Sequence, residues 1–173
     1  GLACQVHVSG RLQDSVNRGS SAIININRYG KVKVISGESE IGQGMLTIFT
    51  QIAAEELGVG LENITVASFV DTDFSPLGQG TYGSRVTVNG GNAVLLAARD
   101  AKRQLLQYAA EKLDINADNL EIKDGNFYAK GVPKAITSLL EVARDTVLGK
   151  LSGVPITGRG EYLAPDYVVA DDE

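Results

Sequence analysis

The chain has 173 residues, 43% of them hydrophobic, which is enough for a buried core in a single domain spanning 1–173. A net charge of −5 without runs of lysine or arginine argues against binding nucleic acid or a membrane surface through charge. A single cysteine excludes an internal disulfide framework and favours a reducing, cytoplasmic compartment. With one histidine and one methionine, no protein-built zinc or copper site is predicted.

The first part of the chain shows the alternation of strands. Residues 2–9 alternate in this way, so His7 is interpreted as a paired strand residue rather than a metal ligand. A polar loop follows, and two further alternating runs cover 21–27 and 31–36. The turn signal at 29–30 predicts that these two strands form a hairpin.

A glycine-rich loop over 37–44 then leads into a helix predicted from 45 to 57, which Gly58 closes. A helix N-terminus beside glycines exposes free N–H groups and the positive end of the helix dipole, which predicts an anion site. Gln43 lies in the tightest part of this loop. Its amide can donate and accept at once, which suits the edge of a heterocycle better than a bare phosphate.

The segment after this helix predicts a parallel strand and a second glycine-rich loop. Residues 64–69 complete a strand–helix–strand pattern, which predicts a βαβ unit with a right-handed crossover. Asp71 and Asp73 follow it, and a turn-forming role is favoured for them over metal binding. The loop over 78–84 spells G-x-G-x-x-G, but this dinucleotide motif is weak because it neither follows a strand directly nor runs into a helix start.

The remaining elements complete an α+β fold, a mixed β-sheet with three amphipathic helices including the βαβ unit. They are predicted as a helix from 89 or 90 to 113, a hairpin over 120–130, a helix over 136–147 and a strand over 154–163. The buried stripe of the last helix is predicted to include Ile136 and Leu140. Pro165 then starts an extended tail. Since the chain opens on Gly1 within a strand pattern, it is interpreted as an internal fragment of a longer polypeptide.

The two glycine-rich loops carry the chemistry that the sequence offers. With one histidine and one cysteine, no serine or cysteine triad can be assembled, so no catalytic residue is predicted. The loops combine backbone N–H groups with glutamine amides and hydroxyls, and Arg85 lies next to them. Together they predict a neutral-to-positive cradle for a phosphate and a ring edge.

At these loops the sequence resembles a known family. SGESEIGQG followed by a helix, and GTYGSRVTVNGGNAV further along, resemble the molybdenum-cofactor-binding large subunit of the xanthine dehydrogenase/aldehyde oxidase family. The opening GLACQVHVSG and the closing TGRGEYLAPD resemble that family too, so the likeness covers essentially the whole chain. The sequence TYGSR resembles bacterial multi-subunit members, such as carbon monoxide dehydrogenase and 4-hydroxybenzoyl-CoA reductase, more than the animal enzymes.

The resemblance implies a molybdopterin with molybdenum, in its cytosine dinucleotide form, held between the two loops. Gln43 matches the glutamine that the family places against the pterin–molybdenum end, and 81–84 matches the segment that holds pterin or phosphate. The implied cofactor-binding residues are Gly42, Gln43, Gly44, Thr81, Tyr82, Gly83, Ser84 and Arg85. The implied reaction is hydroxylation at a molybdenum–oxo–sulfido centre, and the implied partners are the rest of the large subunit and iron–sulfur and FAD subunits or domains.

Some family features are missing from the sequence. The substrate loop with its glycine–phenylalanine–glycine pattern and the glycine–glutamate segment with the catalytic base do not occur, and Val86 replaces a frequent hydroxyl residue. These residues alone are therefore predicted to be inactive, and to self-associate through exposed strand edges. Two alternatives remain from the residues: a non-catalytic α/β interaction or scaffolding domain whose glycines only shape turns, and a nucleotide-binding domain of dehydrogenase type.

Overall fold

The computed structural model of the protein describes residues 1–4, 19–67, 69–71 and 73–164. Within them lie a four-stranded mixed sheet, a three-stranded antiparallel sheet and three α-helices, which confirms the predicted α+β class. No helix in these ranges is both long and apolar enough to cross a membrane. His7, most of the predicted first strand and the tail from Pro165 fall outside the described residues.

The mixed sheet is the framework of the molecule, and its strands run in the order β3-β2-β1-β7. They are β1 (Gly19–Ile26), β2 (Val32–Ser36), β3 (Ile64–Val66) and β7 (Ile156–Leu163). β1 pairs antiparallel with β2 and β7, and β2 pairs parallel with β3. The predicted hairpin is confirmed, with Ile24 opposite Val34 and both side chains fully buried.

Helix α1 (Met45–Leu57) connects the parallel strands β2 and β3 and so forms the predicted βαβ unit. It begins and ends where the sequence predicted, since Gly58 adopts a left-handed conformation with a φ of 68° and donates to Ala54 O at 2.9 Å. Because β2 and β3 are parallel, the loops that follow them leave the sheet at the same edge. This edge is where the two glycine-rich loops meet.

The longest α-helix begins close to its predicted start, but the stretch before it was predicted wrongly. The α-helix α2 (Gly91–Leu113) is preceded without a break by a π-helical segment, Val86–Gly90, in the stretch that was predicted not to be helical. The β-branched residues here are poor helix formers, which explains the error. Tertiary packing overrides this preference, because Val86 is buried and a Cβ atom on Gly90 would lie only 2.9 Å from Phe49 Cζ.

Two glycines of β7 allow α2 to pack directly on the sheet. A Cβ atom on Gly158 would lie 2.7 Å from Ala101 N, and one on Gly160 would lie 3.0 Å from Ala97 Cα. The predicted alanine-rich stripe of α2 is buried against this strand. The close contact fixes α2, and therefore the loop before it, relative to the sheet.

The second sheet carries one further correction. It consists of β4 (Leu120–Lys123), β5 (Asn126–Ala129) and β6 (Thr137–Ser138), followed by α3 (Leu139–Val147). The predicted hairpin is confirmed, but the third helix begins later than predicted, because Ser138 caps it by accepting from Glu141 N at 3.3 Å. Ile136 lies before the helix and Leu140 on its outer face, so both are exposed rather than buried.

Candidate functional site

A cavity of about 310 Å³ lies where the two glycine-rich loops meet the π-helical segment that precedes α2. Its size is at the lower end of the range for ligand pockets. Its lining residues include no acidic residue, and they are Ile41, Gln43, Thr81, Tyr82, Gly83, Ser84, Arg85, Val86 and Thr87. The cavity therefore offers hydroxyl, amide and apolar groups to a bound molecule.

Most of the predicted site residues line this one cavity, including Gln43 from the first loop and Ser84 from the second. Gly42 and Gly44 flank Gln43 in the chain but do not contribute to the lining. Ile41 and Thr87 do line the cavity and were not predicted. Ile41 could have been found from the sequence, because it is an apolar residue within a polar loop. In the structure it is 70% exposed.

The two loops are joined directly, through both side chains and backbone. The Thr81 hydroxyl donates to the Ser39 carbonyl at 2.6 Å. Deeper in, the backbones cross so closely that a Cβ atom on Gly37 would lie 2.5 Å from Gly78 N. These glycines are needed for the close approach of two chain segments. The glycine-rich character of the loops is thus partly structural.

Arg85 is held beneath the second loop and is completely buried. Its guanidinium forms an ion pair with Glu38 at 2.5 Å, and both side chains have no exposed surface. It also donates to Gly80 O at 2.8 Å, to Gly19 O at 2.9 Å and to Ser20 Oγ at 2.8 Å. Its positive charge is therefore compensated inside the protein, which places the cavity at the neutral end of the predicted neutral-to-positive range.

The predicted anion site at the start of α1 is occupied by the carboxylate of Glu40. This group accepts hydrogen bonds from the backbone N–H groups of Gly42, Gly44 and Leu46 at 2.7, 3.2 and 3.2 Å. Desolvation pushes the pKa of Glu40 upward, but these hydrogen bonds outweigh it and hold the pKa below its ordinary value of 4.5. The N-terminus of α1 therefore already has its anion, supplied by its own chain.

Gln43 uses its amide within its own loop. Its Oε1 accepts from Ile41 N at 2.7 Å, and its Nε2 donates to Ser39 O at 3.0 Å. The amide retains one N–H and one lone pair, because each end of the group can make two hydrogen bonds. Ser39 O, which also accepts from Thr81, is thus the common acceptor of both loops.

The second loop has an unusual backbone conformation. Gly80, Gly83 and Ser84 all have positive φ angles, of 84°, 53° and 57°. A left-handed conformation is unfavourable for a serine and persists only where neighbouring contacts enforce it. Within the described part of the chain, the Ser84 hydroxyl makes no hydrogen bond, and the residue is exposed at the cavity.

A family model for the molybdopterin cofactor-binding domain matches residues 1–172, nearly the full chain. The chain belongs to the molybdopterin cofactor-binding domain family. This finding confirms the resemblance that the two glycine-rich loops gave and excludes a dehydrogenase-type nucleotide-binding domain as the family assignment.

Individual relatives of this molybdopterin cofactor-binding domain support the family assignment. It is 39% identical over 120 residues to the 6-hydroxypseudooxynicotine dehydrogenase complex subunit gamma of Paenarthrobacter nicotinovorans, covering 69% of this chain and 15% of that protein. It is 37% identical over 128 residues to the carbon monoxide dehydrogenase large chain of Afipia carboxidovorans, covering 74% of this chain and 16% of that protein. The chain thus spans about a sixth of the length of these relatives.

A solved structure shows the same fold. The reconstituted carbon monoxide dehydrogenase from Oligotropha carboxidovorans superposes with a TM-score of 0.76 and 32% identity, over 85% of this chain and 18% of the other. The predicted likeness to bacterial multi-subunit members therefore holds for the fold as well as for the sequence.

Proposed function

We propose that this domain holds part of a molybdopterin cofactor, in its cytosine dinucleotide form, within a larger cytoplasmic molybdenum-dependent oxidoreductase. The observation that supports the proposal most strongly is the cavity without acidic lining residues, to which both family-like loops contribute. An anionic cofactor is repelled by carboxylates, so their absence from the lining fits such a ligand. Iron–sulfur and FAD subunits or domains are the proposed partners that accept the electrons.

The residues present fit one portion of the cofactor. A cavity of about 310 Å³ accommodates a phosphate or a ring but is small for an entire dinucleotide. Ser84 offers a hydroxyl without a partner in the described structure, and Gln43 offers the unused N–H and lone pair of its amide. The rest of the cofactor would then be bound by other segments of the larger subunit.

The role of the chain in this proposal is to bind and orient. When bound, the cofactor supplies hydroxylation chemistry at molybdenum. Gly83 and Ser84 line the cavity from the second loop, and Gln43 lines it from the first loop. Ile41 and Val86 add apolar side chains to the lining. No residue of this chain is assigned a catalytic role, and the chain without its larger subunit is proposed to be inactive.

The test is Ser84→Asp in the full-length enzyme, with molybdenum and pterin nucleotide measured per subunit after purification. A carboxylate at the cavity would oppose an anionic ligand, so we expect cofactor content at least about tenfold lower, since about 1.4 kcal/mol corresponds to a factor of ten. Ser152→Asp is the matched control, because it places the same charge on an exposed loop that does not line the cavity.

The unfolding temperature of both variants should stay near that of the parent, which separates binding from folding. A Ser84→Asp enzyme with full cofactor content would contradict the proposed site. In that case the glycine-rich loops would serve structure alone, as expected for a non-catalytic interaction domain.

A further inference from the structure

The ion pair between Arg85 and Glu38 joins three separate chain segments at the base of the cavity. Arg85 precedes the α2 helix, Glu38 follows β2, and Ser20 belongs to β1. The Ser20 hydroxyl donates to Glu38 Oε1 at 2.6 Å and accepts from Arg85 at 2.8 Å, which closes the network. Every contact lies in the protein interior, since these three residues are at most 2% exposed.

Resting on the proposed cofactor role of the cavity, we propose that Arg85 is a positioning residue for the loop 80–84 and not itself a cofactor ligand. With no exposed surface, Arg85 cannot donate to a bound molecule in this conformation. One Nη nitrogen donates both to Glu38 and to the carbonyl of Gly80, the first residue of that loop. The ion pair therefore sets where the loop begins.

The loop needs such an anchor because its backbone is strained. Ser84 has a left-handed conformation that is unfavourable for a serine. Strained residues persist when the surrounding structure determines their conformation from several sides. Here Arg85 fixes the loop at Gly80 O and at its own main chain, where Arg85 N donates to Tyr82 O at 3.0 Å.

Stability alone does not explain an ion pair at this position. Desolvation of two charges offsets most of their attraction, so apolar residues of similar volume often stabilise a core as well or better. What an apolar pair cannot do is hold acceptors from several segments in fixed directions. The planar guanidinium does so here, with four acceptors on two nitrogens.

The conservative variant Arg85→Lys separates charge compensation from positioning. Lysine keeps the positive charge beside Glu38, but its single ammonium cannot reproduce the planar fork that reaches Gly80, Gly19 and Ser20. The measurement is amide hydrogen exchange of the full-length protein produced without molybdenum. We expect exchange of the amides of residues 85 and 88, which donate to Tyr82 O and Ser84 O of the loop, to rise at least tenfold, while the hairpin 120–129 keeps its parental rates.

Two further variants complete the experiment. Arg103→Lys is the control, since Arg103 forms an exposed ion pair with Asp100 on the same helix and should leave 80–84 unchanged. Ser20→Ala removes one hydroxyl of the network and should give a smaller, equally local rise, which keeps the test decisive if Arg85→Lys does not fold. Unchanged exchange of the residue 85 and 88 amides, or an equal rise in the hairpin, would overturn the positioning role.

Cofactor content then distinguishes this inference from the proposed function. If Arg85→Lys loosens 80–84 and lowers molybdenum per subunit, the positioning role toward the cofactor is supported. If the loop loosens and molybdenum content stays at the parental level, that role is overturned while the anchoring contact itself remains. If exchange is unchanged but Ser84→Asp still removes the cofactor, Arg85 is not a positioning residue and the proposed function stands.

Discussion

The two glycine-rich loops look alike in sequence but are stabilised in different ways. The first loop, 37–44, bonds most of its polar groups internally, because Glu40 caps α1 and the Gln43 amide bonds to 39 and 41. The second loop, 78–84, is fixed by Arg85, which donates to Gly80 O, and by the Thr81 hydroxyl, which donates to Ser39 O in the first loop. Its Ser84 hydroxyl has no protein partner in the described residues.

This difference teaches that a glycine-rich loop before a helix is not by itself an anion site. The chain's own carboxylate can occupy the helix N-terminus, as Glu40 does at α1. The groups available to a ligand are then the ones that the fold leaves unused, which are concentrated in the second loop. The predictions below test this contrast, starting with the largest expected effect.

Glu38→Gln should be the most destabilising change, because it leaves the buried Arg85 guanidinium without its counterion. We expect a loss of about 4 kcal/mol in the free energy of unfolding, as for other broken buried ion pairs. Urea denaturation of the chain measures it. Glu56→Gln is the control, since its partners Arg99 and Lys102 are partly exposed, and it should cost less than about 1 kcal/mol. Equal losses of unfolding free energy in the two variants would show that burial of the ion pair between Glu38 and Arg85 does not matter for stability.

Gly37→Ala should come next, because the new Cβ would clash with the backbone of the second loop at Gly78. We expect a loss of about 3 kcal/mol, at the upper end for overpacking. Gly80→Ala is the matched control: it has open space but a φ of 84°, so it should cost only about 1 kcal/mol from backbone strain. Thermal unfolding compares the two, and a reversed order would contradict the crossing of the loops.

Glu40→Gln should have a moderate, pH-dependent effect, because the folded pKa of Glu40 lies below its ordinary value. The carboxylate therefore stabilises the fold above an unfolded pKa of about 4.5, and this contribution is lost as the pH falls through the folded pKa. Melting curves at neutral pH should show the variant less stable than the parent, and the difference should vanish in acid. A difference independent of pH would contradict the capping role of the charge.

Gln43→Ala should have the smallest effect on stability, about 0.5 kcal/mol, because its two hydrogen bonds are exposed. Chemical denaturation measures it, with Gln107→Ala on the exposed face of α2 as the control. A loss above about 2 kcal/mol would mean that Gln43 determines the shape of the first loop, since losses of this size belong to buried groups left unpaired.

The order of the strands and helices followed from the sequence because local patterns dominate there. Alternation in β1 and β2, the helical spacing of α1 and its closing Gly58 are short-range signals that the structure confirms. The family resemblance was likewise carried by two contiguous motifs, which the match over 1–172 confirms. The cofactor contacts of individual residues remain predictions.

The tertiary structure alone decided which polar groups of those motifs are available. Arg85 was predicted at the cofactor, yet it is buried against Glu38, which lies 47 residues earlier in the chain. The π-helical turn at 86–90 runs against local propensity, because burial of Val86 and the close packing of Gly90 on Phe49 outweigh the preference of β-branched residues. Both outcomes depend on contacts between distant segments, whose free energies exceed the local preferences that a sequence pattern reports.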